Sequence, residues 1–216
     1  MLEKDLSFLM TDEICYLHKF HEINKNKPVT LIDVGMFQGS YTERFLFLFP
    51  DGYVYGFEPM LQNFNICINK YIKNDKVNIY NHALYSKKTE LIFNYNPGAG
   101  ECTSIFWRPQ FGGTPVHVLA NTLDNLNLKT FGSVFLKIDA EGCEFEILKG
   151  AKNFIPKCDF IQIEYGECNK LADWDISDIQ NFLSDFELFN QNFEKINTAP
   201  NFGVPGNFLL MRKNNE

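Results

Sequence analysis

Four carboxylates stand where short apolar runs end: Asp33, Glu58, Asp139 and Glu164. In an open parallel sheet the ligand lies beyond the C-terminal ends of the strands, so acids at such positions meet a ligand rather than the core. Lys137 and Asp139 are two residues apart, which puts both side chains on one side of an extended run. A lysine inside the apolar run 134–138 is costly to bury without a partner. Asp139 supplies one, and Glu164 converges on it if the two strands are adjacent, because neighbouring strands lie about 4.8 Å apart. The functional reading makes Asp139 a general base or a metal ligand, with Lys137 and Glu164 shaping the same site. An ordinary strand-end ion pair gives the same pattern.

The first of these acids belongs to a stretch that can hold a ligand. The run 29–34 breaks at Gly35, Gly39 follows four positions later, and Tyr41, Phe45, Leu46 and Leu48 then fall at helical spacing. This predicts a strand, a tight glycine turn and a helix start. Such a turn lets the backbone approach a ligand, and the helix start offers free N–H groups. The dinucleotide fingerprint G-x-G-x-x-G is absent. A carboxylate at Asp33 would repel a pyrophosphate and suits a positively charged ligand, such as a sulfonium carrying an amino group. Glu58, closing the run 53–57, is placed to accept hydrogen bonds from ribose hydroxyls. The pair fits S-adenosylmethionine better than NAD; glycines that merely turn the chain would imply neither.

The elements that must position these residues follow from periodicity. A helix is predicted over 6–21, then a polar linker, strands at 29–34, 53–57 and 77–80, and a helix over about 60–72. Leu91, Phe93 and Tyr95 alternate with polar or exposed positions, which predicts an extra strand from 90. The glycine-rich stretch 96–113 reads as a long functional loop, and 116–119 as a returning strand. Thr122 caps a short helical segment, 123–128. The run 134–138 is a buried strand followed by a helix over about 143–149, then a strand at 160–164 and a helix at 176–186. Two last strands, 187–193 and 208–212, flank a Gly/Pro-rich loop. Strands alternating with helices predict a parallel sheet covered on both faces. The final pair adds an antiparallel edge. The chain reads as a single domain over 1–216, with 1–28 as an N-terminal helical extension and 29–213 as the core.

Composition narrows the function. At 216 residues and 45% hydrophobic the chain can bury a sizeable α/β core. Its 22 phenylalanines supply bulky packing material. A net charge of −7 with no basic patch argues against long nucleic acid as a partner. The six cysteines form no C-x-x-C pair, and Cys15, His18 and His21 lack the second cluster a structural zinc needs. Unpaired thiols, no apolar leader and no apolar run near the roughly 20 residues that span a bilayer point to a cytoplasmic protein without membrane association. His82 and His117 stand alone and read as structural or surface residues. The run Ile105-Phe106-Trp107 suits stacking on a sugar ring, or plain loop packing.

In order and spacing, these motifs resemble the FkbM-type S-adenosylmethionine-dependent O-methyltransferases. Asp33-Val34-Gly35 with Gly39, Tyr41 and Thr42 resembles the first motif of that family, and Phe57-Glu58-Pro59 the second. Ala83-Leu84, Gly100 with Thr103-Ser104, and Thr122-Leu123-Asp124 resemble the segments that follow. The strongest match is Lys137-Ile138-Asp139-Ala140-Glu141-Gly142 with Glu144, Leu148-Lys149-Gly150 and Ala151, followed by Glu164. Met36-Phe37-Gln38 and Ala140 depart from the usual pattern. The resemblance covers roughly 29–164.

It implies an α/β, Rossmann-like class I methyltransferase: a mostly parallel seven-stranded sheet, one antiparallel edge strand, and helices on both faces. Asp33, Gly35, Gly39, Glu58 and Ala83 would contact the cofactor. Ser104 and Trp107 would lie toward a small-molecule or glycan acceptor, with Lys137, Asp139 and Glu164 as the catalytic set. The implied reaction is methyl transfer to a hydroxyl, most simply of a sugar, with Asp139 accepting the proton late in the step; Mg²⁺ held by Asp139 and Glu164 is the alternative. The rival readings are a methyltransferase for a non-sugar natural product and a non-catalytic binding module. Nothing in the sequence bears on oligomeric state.

Overall fold

Helix α1 (Asp12–Asn24) leads into β1 (Val29–Val34), which is buried at all six positions. The computed structural model describes residues 12–96, 103–196 and 206–213. The glycine turn carries the chain into α2 (Ser40–Leu48), and β2 (Tyr53–Phe57), α3 (Leu61–Tyr71) and β3 (Val77–Tyr80) complete the first half. Three strands then leave the main sheet: β4 (Ala83–Leu84), β5 (Thr89–Tyr95) and β6 (Thr114–Asn121). The second half runs β7 (Ser133–Ile138), α4 (Glu144–Lys149), β8 (Phe160–Tyr165), α5 (Glu167–Leu171), α6 (Ile176–Phe182), β9 (Phe186–Phe189) and β10 (Gly206–Arg212).

The main sheet has seven strands in the order β3-β2-β1-β7-β8-β10-β9. The order reverses at β1, whose neighbours β2 and β7 are both parallel to it. Period-two alternation splits each central strand between two cores. Leu31, Phe135, Phe160 and Leu209 face α1 and α2, whereas Ile32, Leu136, Ile161 and Leu210 face α4 and α6. Cys67 and Tyr71 of α3 pack with Met36 against Val77 and Ile79. Phe20 anchors α1: its ring centroid lies 5.1 Å from both Phe135 and Phe160, edge to face. Its truncation to alanine would cost about 3–5 kcal/mol.

Several expectations are refined. The predicted first helix is observed from Asp12 and runs on to Asn24; residues 6–11 lie outside the described residues, as do Gly100, Cys102, Pro200, Gly203 and Pro205. The helix expected over 176–186 stops at Phe182, because β9 already starts at Phe186. The antiparallel strand is β10, and it lies one place in from the edge, between β8 and β9. A second, three-stranded sheet, β4-β6-β5, was not anticipated. Its β4 is two residues long, too short for periodicity to show. No helix among the described residues is long and apolar enough to cross a membrane.

Candidate active site

The turn after β1 is built against its neighbours on both sides. The amides of Gly35 and Met36 donate to the Phe57 carbonyl, each at 3.1 Å, so the chain folds over the end of β2. Gly35 has φ +76°, and a Cβ there would come 1.7 Å from the Asp139 carbonyl oxygen. The same turn is therefore pressed onto the end of β7, which only glycine allows. Phe37, at φ 49°, donates its amide to Glu58 Oε2 at 2.8 Å, and the Met60 amide donates to Oε1 at 2.8 Å. Burial raises the Glu58 pKa to about 7, against the opposing hydrogen bonds from Met60, Phe37 and Asn63.

A cleft of about 1010 Å³, counting its open mouth, lies over the ends of β1, β2 and β7. Gly35, Glu58, Ala83, Lys137 and Asp139 are on its wall, with apolar faces from Met60, Leu84, Phe93 and Ile147. Gly39 is not on the wall: at φ +77° it turns the chain into α2, and its carbonyl accepts from the Tyr71 hydroxyl at 2.7 Å. Nor is Asp33, which is fully buried. It shares strand parity with Leu31 and so projects beneath α2, where Thr42 Oγ1 donates to its Oδ2 at 2.7 Å. Asp33 and Gly39, expected to contact a ligand, thus stand behind the cleft wall in structural hydrogen bonds.

Lys137, Asp139 and Glu164, expected to act together, do lie side by side. Lys137 Nζ donates to Asp139 Oδ2 at 3.1 Å and to the Gly35 carbonyl at 3.2 Å, and sits 3.7 Å from Asp33 Oδ1 and 5.5 Å from the Tyr41 ring centre. The Lys137 side chain is 4% exposed, that of Asp139 33%. Burial alone would raise the Asp139 pKa; Lys137 and a hydrogen bond with Glu164 hold it below its usual value. Glu164 moves the other way, raised by its own burial and then by the charge of Asp139. The two carboxyl groups therefore titrate as one coupled pair whose members are pushed in opposite directions.

The donor set does not favour Mg²⁺: the Lys137 ammonium already holds Asp139, and among the described residues no three His, Cys, Asp or Glu side chains are grouped to hold a metal ion.

A second cleft, of about 590 Å³ with its mouth, opens over the ends of β7 and β8. Glu164 and Glu141 line it together with Arg108, Phe111, Tyr165 and Glu167; Glu141 is also on the wall of the first cleft. Arg108 is buried, 3.0 Å from Glu141 and with its guanidinium carbon 4.7 Å from the Phe111 ring centre. The Cys168 thiol donates to the same Glu141 carboxylate at 3.2 Å. Glu144 pins the intervening turn by accepting from the Ala140 and Gly142 amides and from Asn169 Nδ2 at 2.9–3.1 Å. Sequence reasoning passed over Arg108, which follows Trp107 in a loop and gains meaning only through Glu141.

The two residues expected toward the acceptor are on neither wall. Ser104 is buried, donating to the Glu141 carbonyl at 2.7 Å and accepting from the Phe106 amide at 3.1 Å, which ties the loop down. Trp107 is 56% exposed. His82 packs against the stacked Phe57 and Tyr80 rings, its pKa lowered by burial, and His117 pairs at the surface with Glu90.

Residues 33–194 match the family described as Methyltransferase FkbM domain. Among solved structures, an rRNA methylase from Streptococcus thermophilus superposes with a TM-score of 0.52 at 10% identity, over 94% of this chain and 98% of that one. A protein from Streptococcus mutans in complex with SAH gives 0.51 at 12%, over 94% and 99%. The plantazolicin methyltransferase BpumL, also in complex with SAH, gives 0.50 at 12%, over 96% and 87%. At such identities the likeness is one of fold, the Rossmann-like methyltransferase fold. A search of curated protein sequences finds no match. The family match spans about three quarters of the chain, and the protein belongs to the FkbM family of methyltransferases.

Proposed function

We propose that this protein transfers a methyl group from S-adenosylmethionine to a hydroxyl, most simply of a sugar or glycan. One observation carries the reading: Asp139 lies on the wall of the first cleft, Glu164 on that of the second, and the two acids stand side by side at the ends of the paired strands β7 and β8. A bound donor and a bound acceptor would meet at that pair.

The first cleft fits the cofactor by the chemistry of its lining. Glu58 Oε1 and Oε2 each accept one amide and keep lone pairs for ribose hydroxyls. Met60, Leu84, Phe93 and Ile147 give an apolar wall for a purine. S-adenosylmethionine would supply an activated methyl, whose bond to sulfur breaks as the bond to the acceptor oxygen forms, with S-adenosylhomocysteine as the leaving group. The fold neighbours solved with SAH support this choice.

The second cleft offers carboxylates and the Phe111 and Tyr165 rings, a combination that suits a polyhydroxylated ring. An ionised carboxylate is too weak a base to deprotonate an alcohol in advance. Asp139 accepts the proton as the new bond to oxygen forms, and the Lys137 ammonium keeps it ionised and in place. Alignment of the reactants by the two clefts supplies much of the rate, up to about 7–11 kcal/mol. The acid-lined cleft and the net charge of −7 disfavour nucleic acid as acceptor. Free thiols at Cys67, Cys143, Cys158 and Cys168 fit a reducing, cytoplasmic setting.

Calorimetric titration with S-adenosylhomocysteine, with and without Mg²⁺ and beside NAD, tests the reading. Micromolar, Mg²⁺-independent binding of the first and none of NAD is expected. A screen of deoxysugar and glycan hydroxyls, with non-sugar natural products as comparators, then reads methyl transfer directly. Absence of S-adenosylhomocysteine binding by the folded protein would overturn it.

A further inference from the structure

Asp33 and Lys137 are Cα partners on adjacent strands, and both side chains project to the α2 face of the sheet, as their parity with Leu31 and Phe135 requires. Asp33 is fully buried. Thr42 satisfies its Oδ2 at 2.7 Å, while Oδ1 has no hydrogen-bond partner and lies 3.7 Å from Lys137 Nζ. A buried, half-satisfied carboxylate one strand away from a buried ammonium is a costly arrangement unless the two charges serve each other. Lys137 is the residue that holds Asp139.

We propose that Asp33 is a positioning residue: it fixes the Lys137 ammonium from behind, Lys137 then fixes Asp139 at the boundary of the two clefts, and Asp33 itself never touches the cofactor. The role of Asp139 in this statement rests on the methyl-transfer reading; the coupling of Asp33 to Lys137 does not. The chain Thr42–Asp33–Lys137–Asp139 runs from the start of α2, along the α2 face of the sheet, to the cleft wall. Burial pushes the Asp33 pKa up, and the Lys137 charge and the Thr42 hydrogen bond oppose that shift. Tyr41 closes the same chamber from above, its hydroxyl donating to Gln162 Oε1 at 2.8 Å, and Gln162 is the register partner of Lys137 on the other side.

The test uses the full chain in three variants, Asp33→Asn, Lys137→Met and the double variant. In Asp33→Asn, the Kd for S-adenosylhomocysteine should stay within threefold of the unsubstituted protein. A loss of tenfold or more would place Asp33 in the cofactor site and overturn the proposal. The Nζ–Hζ resonance of Lys137, read with ¹⁵N-labelled lysine and identified by its loss in Lys137→Met, should shift or vanish in folded Asp33→Asn. An unchanged resonance would overturn the coupling, and a merely structural role would leave it unchanged. Thermal melting completes the cycle. Asp33→Asn should lower Tm in the native background and raise it beside Lys137→Met, where Asp33 is stranded without its counter-ion; a shift of the same sign in both backgrounds overturns the proposal. Should Asp33→Asn fail to fold, Thr42→Val frees Asp33 Oδ2 and should move the Lys137 resonance, and a resonance that stays put rejects the chain. If the unsubstituted protein binds no S-adenosylhomocysteine, the cofactor clause falls with the methyl-transfer reading, while resonance and melting still judge the coupling.

Discussion

The Glu58 carboxylate lies 2.8 Å from the amide nitrogen of Phe37, so the end of β2 holds the turn that leaves β1. Phe37 sits in the left-handed region at φ 49°, which a bulky residue adopts only when its surroundings enforce it. Glu58 thus shapes the cofactor side of the cleft before any ligand arrives. Replacing it by glutamine keeps an acceptor for one amide and sets an NH₂ against the other. Glu58→Gln is expected to weaken S-adenosylhomocysteine binding tenfold or more, about 1.4 kcal/mol, by calorimetry.

Stability should fall as pH rises toward neutrality. Glu58 and Glu144 both titrate near 7 in the fold, chiefly through burial, against 4.5 for a free glutamate. Between those values the unfolded chain has lost the proton and the folded chain keeps it, so each group contributes stability at low pH that disappears between about 4.5 and 7. The upper bound is about 3 kcal/mol for each. Asp139 works in the opposite direction, its lowered pKa adding stability above its unfolded value. Urea melts at pH 5 and 7.5 check the balance: Glu144→Gln, which keeps acceptors for Ala140 and Gly142, should flatten the dependence.

Asp139→Asn should lower methyl transfer to an identified acceptor by about 10²–10⁴-fold, the usual worth of a positioned proton acceptor. S-adenosylhomocysteine affinity should change less than threefold. A large loss of affinity would assign Asp139 to the cofactor instead.

Gly35→Ala should damage the fold directly. The new Cβ would overlap the Asp139 carbonyl oxygen, 1.7 Å away, on a backbone with φ +76°. A loss of at least about 3 kcal/mol is expected, with Tm falling by about 6–12 °C. The displaced Asp139 makes loss of activity in this variant uninformative about Gly35 itself.

Arg108→Met should cost about 3 kcal/mol, because it removes the cation beside Glu141 in a wall that also holds Glu144 and Glu164. Adding Glu141→Gln should restore much of that loss. Thermal melts of the two single variants and the double read the coupling.

Local pattern was enough for the strands that build the site. The runs 29–34, 53–57, 134–138 and 160–164 are apolar, β-branched and end in acids, and all four are strands of the parallel sheet. Spacing along one strand also placed Lys137 beside Asp139, since two residues bring a side chain back to the same side. The order of these motifs carried the family. What the chain could not show locally is which residues meet across long separations. Asp33 and Lys137 are paired by the register of β1 on β7, and that register encloses an acid which otherwise reads as a ligand contact. Arg108 finds Glu141 only because the loop after β5 returns over the end of β7, tied there by Ser104. The inner place of β10 was likewise hidden, because strand order depends on which edge the last segment reaches rather than on its own composition. Sequence determined the elements and the chemistry available at their ends; tertiary packing decided which acids face the clefts and which stand behind them, because burial and pairing belong to neighbours in space.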